Sequence, residues 1–202
     1  QAIVQSLWQK DLEPDNHETK QQLDALLTDT LHQAMEKINE YHQLPACRLE
    51  TLIQRSLIAE IRQHLTVALK LCYLLYRKTE INRILELMQL EKADKLYNGM
   101  EMLELVLPKR ISKDLNQAFD FILDPAHIPA QFTKQTHESF IRKILLEAPQ
   151  EYVAWTKAVG MYSSWKENDY RFWLPKAVTT GNEHALLQET RDYISEQTKQ
   201  AV

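Results

Sequence analysis

A chain of 202 residues is long enough for one large domain or two small ones with a real hydrophobic core. Its formal net charge of −4 and pI near 6.0 come from interleaved acidic and basic residues. A general nucleic-acid binder carries a basic surplus, so no nucleic-acid partner is expected. Only three glycines occur, and Leu, Glu, Gln, Lys and Ala dominate, which excludes a strand-rich fold and predicts an all-α chain.

From the N-terminus, Ile3, Val4, Leu7 and Trp8 form an apolar start, closed by the turn-forming run Glu13-Pro14-Asp15-Asn16. Trp8 is expected to pin this start onto the rest of the chain. A helix follows from about Glu18 to Gln43, with Leu23, Leu26, Leu27, Leu31, Met35 and Ile38 as its stripe. Leu44-Pro45 ends it, because a residue before proline avoids the α region. Arg48 to Arg77 reads as one long helix or two nearly collinear ones. It is built on Leu49, Leu52, Ile53, Leu57, Ile61, Leu65, Leu69 and Cys72, and from Val67 onward it is apolar almost all round. Its most apolar run, Leu65 to Tyr76, is interrupted by Lys70 and falls short of the ~20 residues of a membrane span. The chain begins with Gln1 and not methionine, so a piece of a longer protein is expected.

Thr79 is a candidate N-cap for a helix over Glu80 to Leu90. The next unit is a helical hairpin. Lys92 to Leu107 carries the stripe Leu96, Gly99, Met100, Leu103, Val106 and Leu107, Pro108 stops it, and a second helix runs from about Arg110 to Leu123, with Ser112 and Asp114 as late cap candidates. Asp124-Pro125 through Pro129 is a proline-spaced connection. Further helices are expected at Thr133 to Glu147, Glu151 to Trp165, Tyr170 to Val178 and, after Gly181-Asn182, Glu183 to Gln197.

Reactive constellations are sparse. Cys47 and Cys72 have no metal-like spacing and read as packed residues of a reducing compartment. The common zinc and di-iron helical spacings are missing and no glycine-rich phosphate loop occurs, so no catalytic residue, metal or cofactor is assigned. Glu60 and His64, one turn apart, read as a surface pair. Two features stand out. Lys92, Lys95, Lys109, Arg110 and Lys113 form a basic cluster around the hairpin turn. Either they are solubilising cations at helix ends where the dipole favours them, or they contact an anionic membrane surface or an acidic partner. The second is the aromatic crowd of Tyr152, Trp155, Tyr162, Trp165, Tyr170, Phe172 and Trp173, in which Trp155, Tyr162 and Trp165 share a helix face. It is either core between neighbouring helices or a groove that anchors a partner through Trp155, Tyr162, Trp165, Phe172 and Trp173.

The run K-L-Y-N-G-M-E-M-L-E-L-V-L at Lys95 to Leu107 resembles the first helix of a HEAT-type repeat. More narrowly it resembles the HEAT-like soluble region that follows the membrane part of ATP/ADP-translocase-like major-facilitator proteins. Asn98 to Glu104 stand in the order of that family's pattern, Ile122-Leu123-Asp124-Pro125 close the second helix, and Ala59-Glu60-Ile61 and Leu71 to Tyr76 resemble the helix upstream. Leu145 to Pro149 and Val153 to Gly160 look like a degenerate second repeat, and Glu183 to Ile194 like the opening of a third. Gly99 stands where alanine is usual, and Arg191 and Asp192 where small or apolar residues are.

The resemblance implies an α-solenoid of antiparallel helix pairs, residues 48–202, behind an N-terminal helical extension, residues 1–47, the two being one continuous domain in the alternative division. It implies a non-catalytic cytoplasmic interaction or regulatory module of a transporter-like membrane protein. The expected partner is another protein, its own membrane domain or the anionic membrane surface. The alternatives are a free-standing cytoplasmic scaffold of the same fold and, from another class, a helical-bundle enzyme whose site is assembled from distant residues.

Overall fold

The computed structural model describes residues 2–11, 14, 16–44, 50–77, 79–89, 93–125, 134–166 and 185–200. Helix accounts for 90% of them and no strand occurs among them, which settles the all-α class. The helices are α1 (Ala2–Gln9), α2 (His17–Gln43), α3 (Glu50–Tyr76), α4 (Thr79–Gln89), α5 (Ala93–Val106), α6 (Lys109–Leu123), α7 (His137–Arg142), α8 (Ala154–Lys166) and α9 (Ala185–Gln200). A π turn, Lys143–Glu147, continues α7, and a 3-10 turn, Pro149–Glu151, leads towards α8. The short helix expected over Tyr170 to Val178 lies outside the described residues, as do Gly181-Asn182 and Cys47.

The chain divides into two compact units, Gln1–Asn39 with Ile61–Pro129, and Glu40–Glu60 with Ala130–Val202. In the first, α3 buries Ile61, Leu65, Ala68, Leu69, Leu71, Cys72 and Leu74 to 1% exposure or less, as its all-round apolar character requires. α4, α5 and α6 pack in sequence, each on the next. Pro108 ends one helix and starts another. With no N–H to donate it closes α5, and its carbonyl then accepts the first bonds of α6 from Ile111 N–H (2.9 Å) and Ser112 N–H (3.1 Å). The late cap at Ser112 and Asp114 does not form; Ser112 lies inside the helix and donates to Lys109 O at 3.3 Å. Thr79 is likewise the first residue of α4, and its hydroxyl donates to the Glu80 carboxylate at 3.4 Å.

Helix α1 is pinned as Trp8 suggested. Its indole N–H donates to Asn82 Oδ1 at 3.2 Å, and the Lys70 ammonium sits 4.9 Å from the ring centre. Two stripe residues read as core face outward, Leu26 (41% exposed) and Leu52 (37%). Each precedes a fully buried neighbour, Leu27 and Ile53, and adjacent helical residues point about 100° apart, so only one of each pair reaches the core.

The second unit has its own core, in which Leu44, Ile53 and Leu57 pack with Phe140, Ile141, Ile144, Leu145, Tyr152, Val159, Met161 and Ile194. A local design recurs between the units. Ile81, Ile84 and Leu85 of α4 are buried, and sixty residues on Ile141, Ile144 and Leu145 are buried in the same spacing. Gly99 of α5 packs on Ile84 of the first set, and Gly160 of α8 on Ile144 and Leu145 of the second; a buried methionine follows each glycine. A Cβ on Gly99 would lie 3.0 Å from Ile84 Cγ1, and one on Gly160 3.3 Å from Ile144 Cγ2. In both places the missing side chain allows a close helix approach.

Candidate functional site

Helix α8 is set by buried polar anchors. Glu40, near the end of α2, accepts from Lys143 Nζ at 2.6 Å and from the Tyr152 hydroxyl at 2.9 Å. Burial, then the nearby Glu40 carboxylate and its hydrogen bond, pushes the Tyr152 phenol far above its ordinary pKa, so it remains a donor at any physiological pH. Glu60, buried on α3, accepts the Val153 N–H at 3.1 Å, one residue before α8 begins. The surface pairing expected for Glu60 is thereby corrected: its carboxylate is needed inside, where the amide that opens α8 would otherwise go unmet. These contacts, with the close approach at Gly160, fix which face of α8 points outward.

That face is aromatic. Trp155 is 54% exposed; two turns on, Tyr162 and Trp165 meet with ring centres 5.7 Å apart at 56°. Tyr193 of α9, 48% exposed, meets Trp165 edge-on at 6.2 Å and 80°. Trp165 is held on its inner side by packing against the core and by its indole N–H, which donates to Thr198 Oγ1 at 3.2 Å. Lys166 lays its ammonium over the same rings, 4.4 Å from the centre of Trp165 and 5.8 Å from that of Tyr162. Thus Tyr162 and Trp165 are brought together, and Trp155 shares their helix. Phe172 and Trp173 lie outside the described residues. Tyr193 was not foreseen. Its signal was a lone aromatic on a polar helix face, between Glu189 and Glu196 at i−4 and i+3.

The basic cluster resolves differently. Lys109 and Arg110 open the first turn of α6, which holds no acidic residue and no side-chain cap, and Lys113 follows in the second turn beside Asp114. The first turn is the positive end of the helix dipole, which disfavours cations, so the dipole-favoured reading is corrected for Lys109 and Arg110. Arg110 donates to Thr28 Oγ1 at 2.8 Å, while Lys109 and Lys113 are exposed. Leu105, in the last turn of α5, is 86% exposed. Lys92 lies outside the described residues, and so does the side chain of Lys95.

Elsewhere, a cleft of about 200 Å³ lies between α4 and α5, lined by Glu80, Arg83, Ile84, Leu87, Asn98, Gly99 and Met102. Burial, with Asp24 nearby, pushes the Cys72 thiol up to about 12, which removes the thiolate a nucleophile needs. His42 and His64 both have lowered pKa values, chiefly through burial. Among the described residues no three His, Cys, Asp or Glu side chains gather to hold a metal ion, and no helix is long and apolar enough to cross a membrane. Set against protein-family models, curated proteins and solved structures, the chain has no match.

Proposed function

We propose that this chain is a non-catalytic helical scaffold, a HEAT-like α-solenoid that serves as the interaction or regulatory domain of a transporter-like membrane protein and engages a protein partner through the α8–α9 face. The observation that carries this reading is the half-exposed aromatic face. Trp155 of α8 and Tyr193 of α9 stand open to solvent, Tyr193 against an oriented Trp165, and the lead-in to α8 is held by hydrogen bonds to Glu40 and Glu60. Trp and Tyr carry a disproportionate share of interface energy because they bury large rigid surfaces at low entropic cost.

Three features support the solenoid part. α4, α5 and α6 pack in chain order, and α5 and α6 fold as a hairpin in which Asn116 donates to Glu104 at 2.7 Å. The Trp165 end of α8 meets the later part of α9, from Tyr193 to Thr198, which suits first helices of successive repeats running in the same direction. The buried Ile/Ile/Leu set with its packed glycine recurs after about sixty residues, a longer unit than the ~40–47 residues of HEAT repeats, so each unit carries extra helix. The transporter association rests on sequence resemblance alone, that of Lys95 to Leu107 with Ile122 to Pro125 and, upstream, Ala59 to Ile61 and Leu71 to Tyr76.

The test is a photo-crosslinking amino acid placed at Trp155 or Tyr193 in the full-length parent protein in cells. Crosslinks from both positions to one protein or to the parent's own membrane domain are expected, with none from exposed Gln117 of α6 used as a control. Equal crosslinking from all three positions would sink the docking face.

A further inference from the structure

Resting on that reading of the α8–α9 face, we propose that the face is selective for cations. It takes an arginine side chain from a basic segment of the partner, and Lys166 is the internal occupant which that arginine displaces.

The rings already hold a cation. One ammonium, that of Lys166, lies within 5.8 Å of two ring centres, and the nearer ring is Trp165, the best cation–π acceptor among the side chains. Trp165 offers little else. Its N–H is spent on Thr198, so the ring cannot serve a ligand that needs a donor, and what it presents outward is its π surface. The surrounding charge has the matching sign. On α9, Glu189, Tyr193 and Glu196 follow at i, i+4 and i+7, with Asp192 beside them; all are exposed, and none of the three carboxylates is in an ion pair among the described residues. Arg191 of the same helix is already engaged, and Lys199 sits in the last turn, where the dipole favours a cation. An arginine fits this combination better than a lysine, since its flat guanidinium stacks on an aromatic ring while its N–H groups fork onto a carboxylate. Lys166 makes no ion pair with the α9 carboxylates among the described residues. A basic segment therefore gains contacts that Lys166 does not make.

The experiment uses the full chain and a nine-residue peptide of alternating Arg and Gly, with a citrulline-for-arginine copy of the same shape and no charge. Binding is followed by calorimetry. The arginine peptide is expected to bind and the citrulline peptide not. Lys166→Met, which empties the rings, should tighten binding about fivefold, the gain expected when a competing occupant is removed. Lys113→Met, with the same change of net charge on α6, should leave affinity unchanged. Glu189→Gln with Glu196→Gln should weaken binding severalfold while leaving the far-ultraviolet circular dichroism intact. Equal binding of the two peptides, no binding of either, or equal tightening by Lys166→Met and Lys113→Met overturns the proposal. The scaffold reading survives each of these results if the crosslinks from Trp155 and Tyr193 persist, and falls separately if they do not.

Discussion

Asp11, just past α1, and Arg77, just past α3, share a left-handed backbone and are bonded to each other. Among the described residues they are the two non-glycine positions with positive φ, 49° and 52°. The Arg77 guanidinium binds the Asp11 carboxylate, the Tyr73 hydroxyl donates to the same oxygen at 3.0 Å, and Arg77 Nη2 donates to Asp11 O at 3.2 Å. Left-handed backbone costs roughly 1 kcal/mol for a residue with a side chain, and glycine avoids that cost. Arg77→Gly is therefore expected to shift the melting temperature little, because relief of strain offsets a half-exposed ion pair. Asp11→Ala keeps the strain and loses the pair, so it should destabilise by about 1 kcal/mol. Thermal melts of the two variants decide it, and equal losses would refute the strain argument.

Glu40, Lys143 and Tyr152 form the polar anchor of the second unit, and their contributions are separable. Tyr152→Phe removes one neutral donor and should cost about 1 kcal/mol. Glu40→Ala strips the acceptor from both a buried phenol and a partly buried ammonium. It should cost about 3 kcal/mol, at the low end for a broken buried pair because Lys143 keeps some access to water. Chemical denaturation read by fluorescence gives both values. Tyr152→Phe losing as much as Glu40→Ala would mean that Lys143 contributes nothing.

Gly99 and Ile84 should be coupled. A Cβ at Gly99 meets Ile84 Cγ1 at 3.0 Å, so Gly99→Val is expected to destabilise by about 2 kcal/mol through overpacking. In an Ile84→Ala background the space exists, and the same change should cost less than half as much. The Gly160 contact is looser, at 3.3 Å to Ile144, and alanine gains about 1 kcal/mol of helix propensity over glycine. Gly160→Ala should thus be within about 1 kcal/mol of neutral. A double-mutant cycle on Gly99 and Ile84 that shows no coupling would contradict this contact.

Acid should weaken the fold before the carboxylates titrate. Burial, together with Lys134 at His42 and Lys37 at His64, lowers both pKa values, while Asp29 acts in the opposite sense at His64. A histidine with a depressed folded pKa takes up its proton more readily in the unfolded chain. Its contribution is complete above the ordinary value of 6.5 and is lost as pH falls below it. Melting temperatures measured from pH 7.5 down to pH 5 should therefore decline, and His64→Gln should flatten the slope. A slope identical in the variant would place the acid sensitivity elsewhere.

The local grammar of helices was legible in the residues, because a 3.6-residue stripe and a proline stop act within a few positions of one another. The all-α class, the extents of α2 and α3 and the hairpin about Pro108 all follow from such short-range rules. So did the meeting of Tyr162 with Trp165, three residues apart on one helix. What periodicity could not choose was between adjacent apolar residues. Leu26 faces out and Leu27 in because the neighbouring packing selects one direction of two about 100° apart. Glu60 reads as a surface residue beside His64, and only the fold brings the Val153 amide from a distant part of the chain to its buried carboxylate. Tyr193 joins Trp165 for the same kind of reason: contacts between α8 and α9 depend on how two helices pack, which no local spacing specifies. The sequence by itself determined which stretches are helical and which residues are able to be buried. The tertiary structure alone decided which faces stay open, and so where a partner could be held.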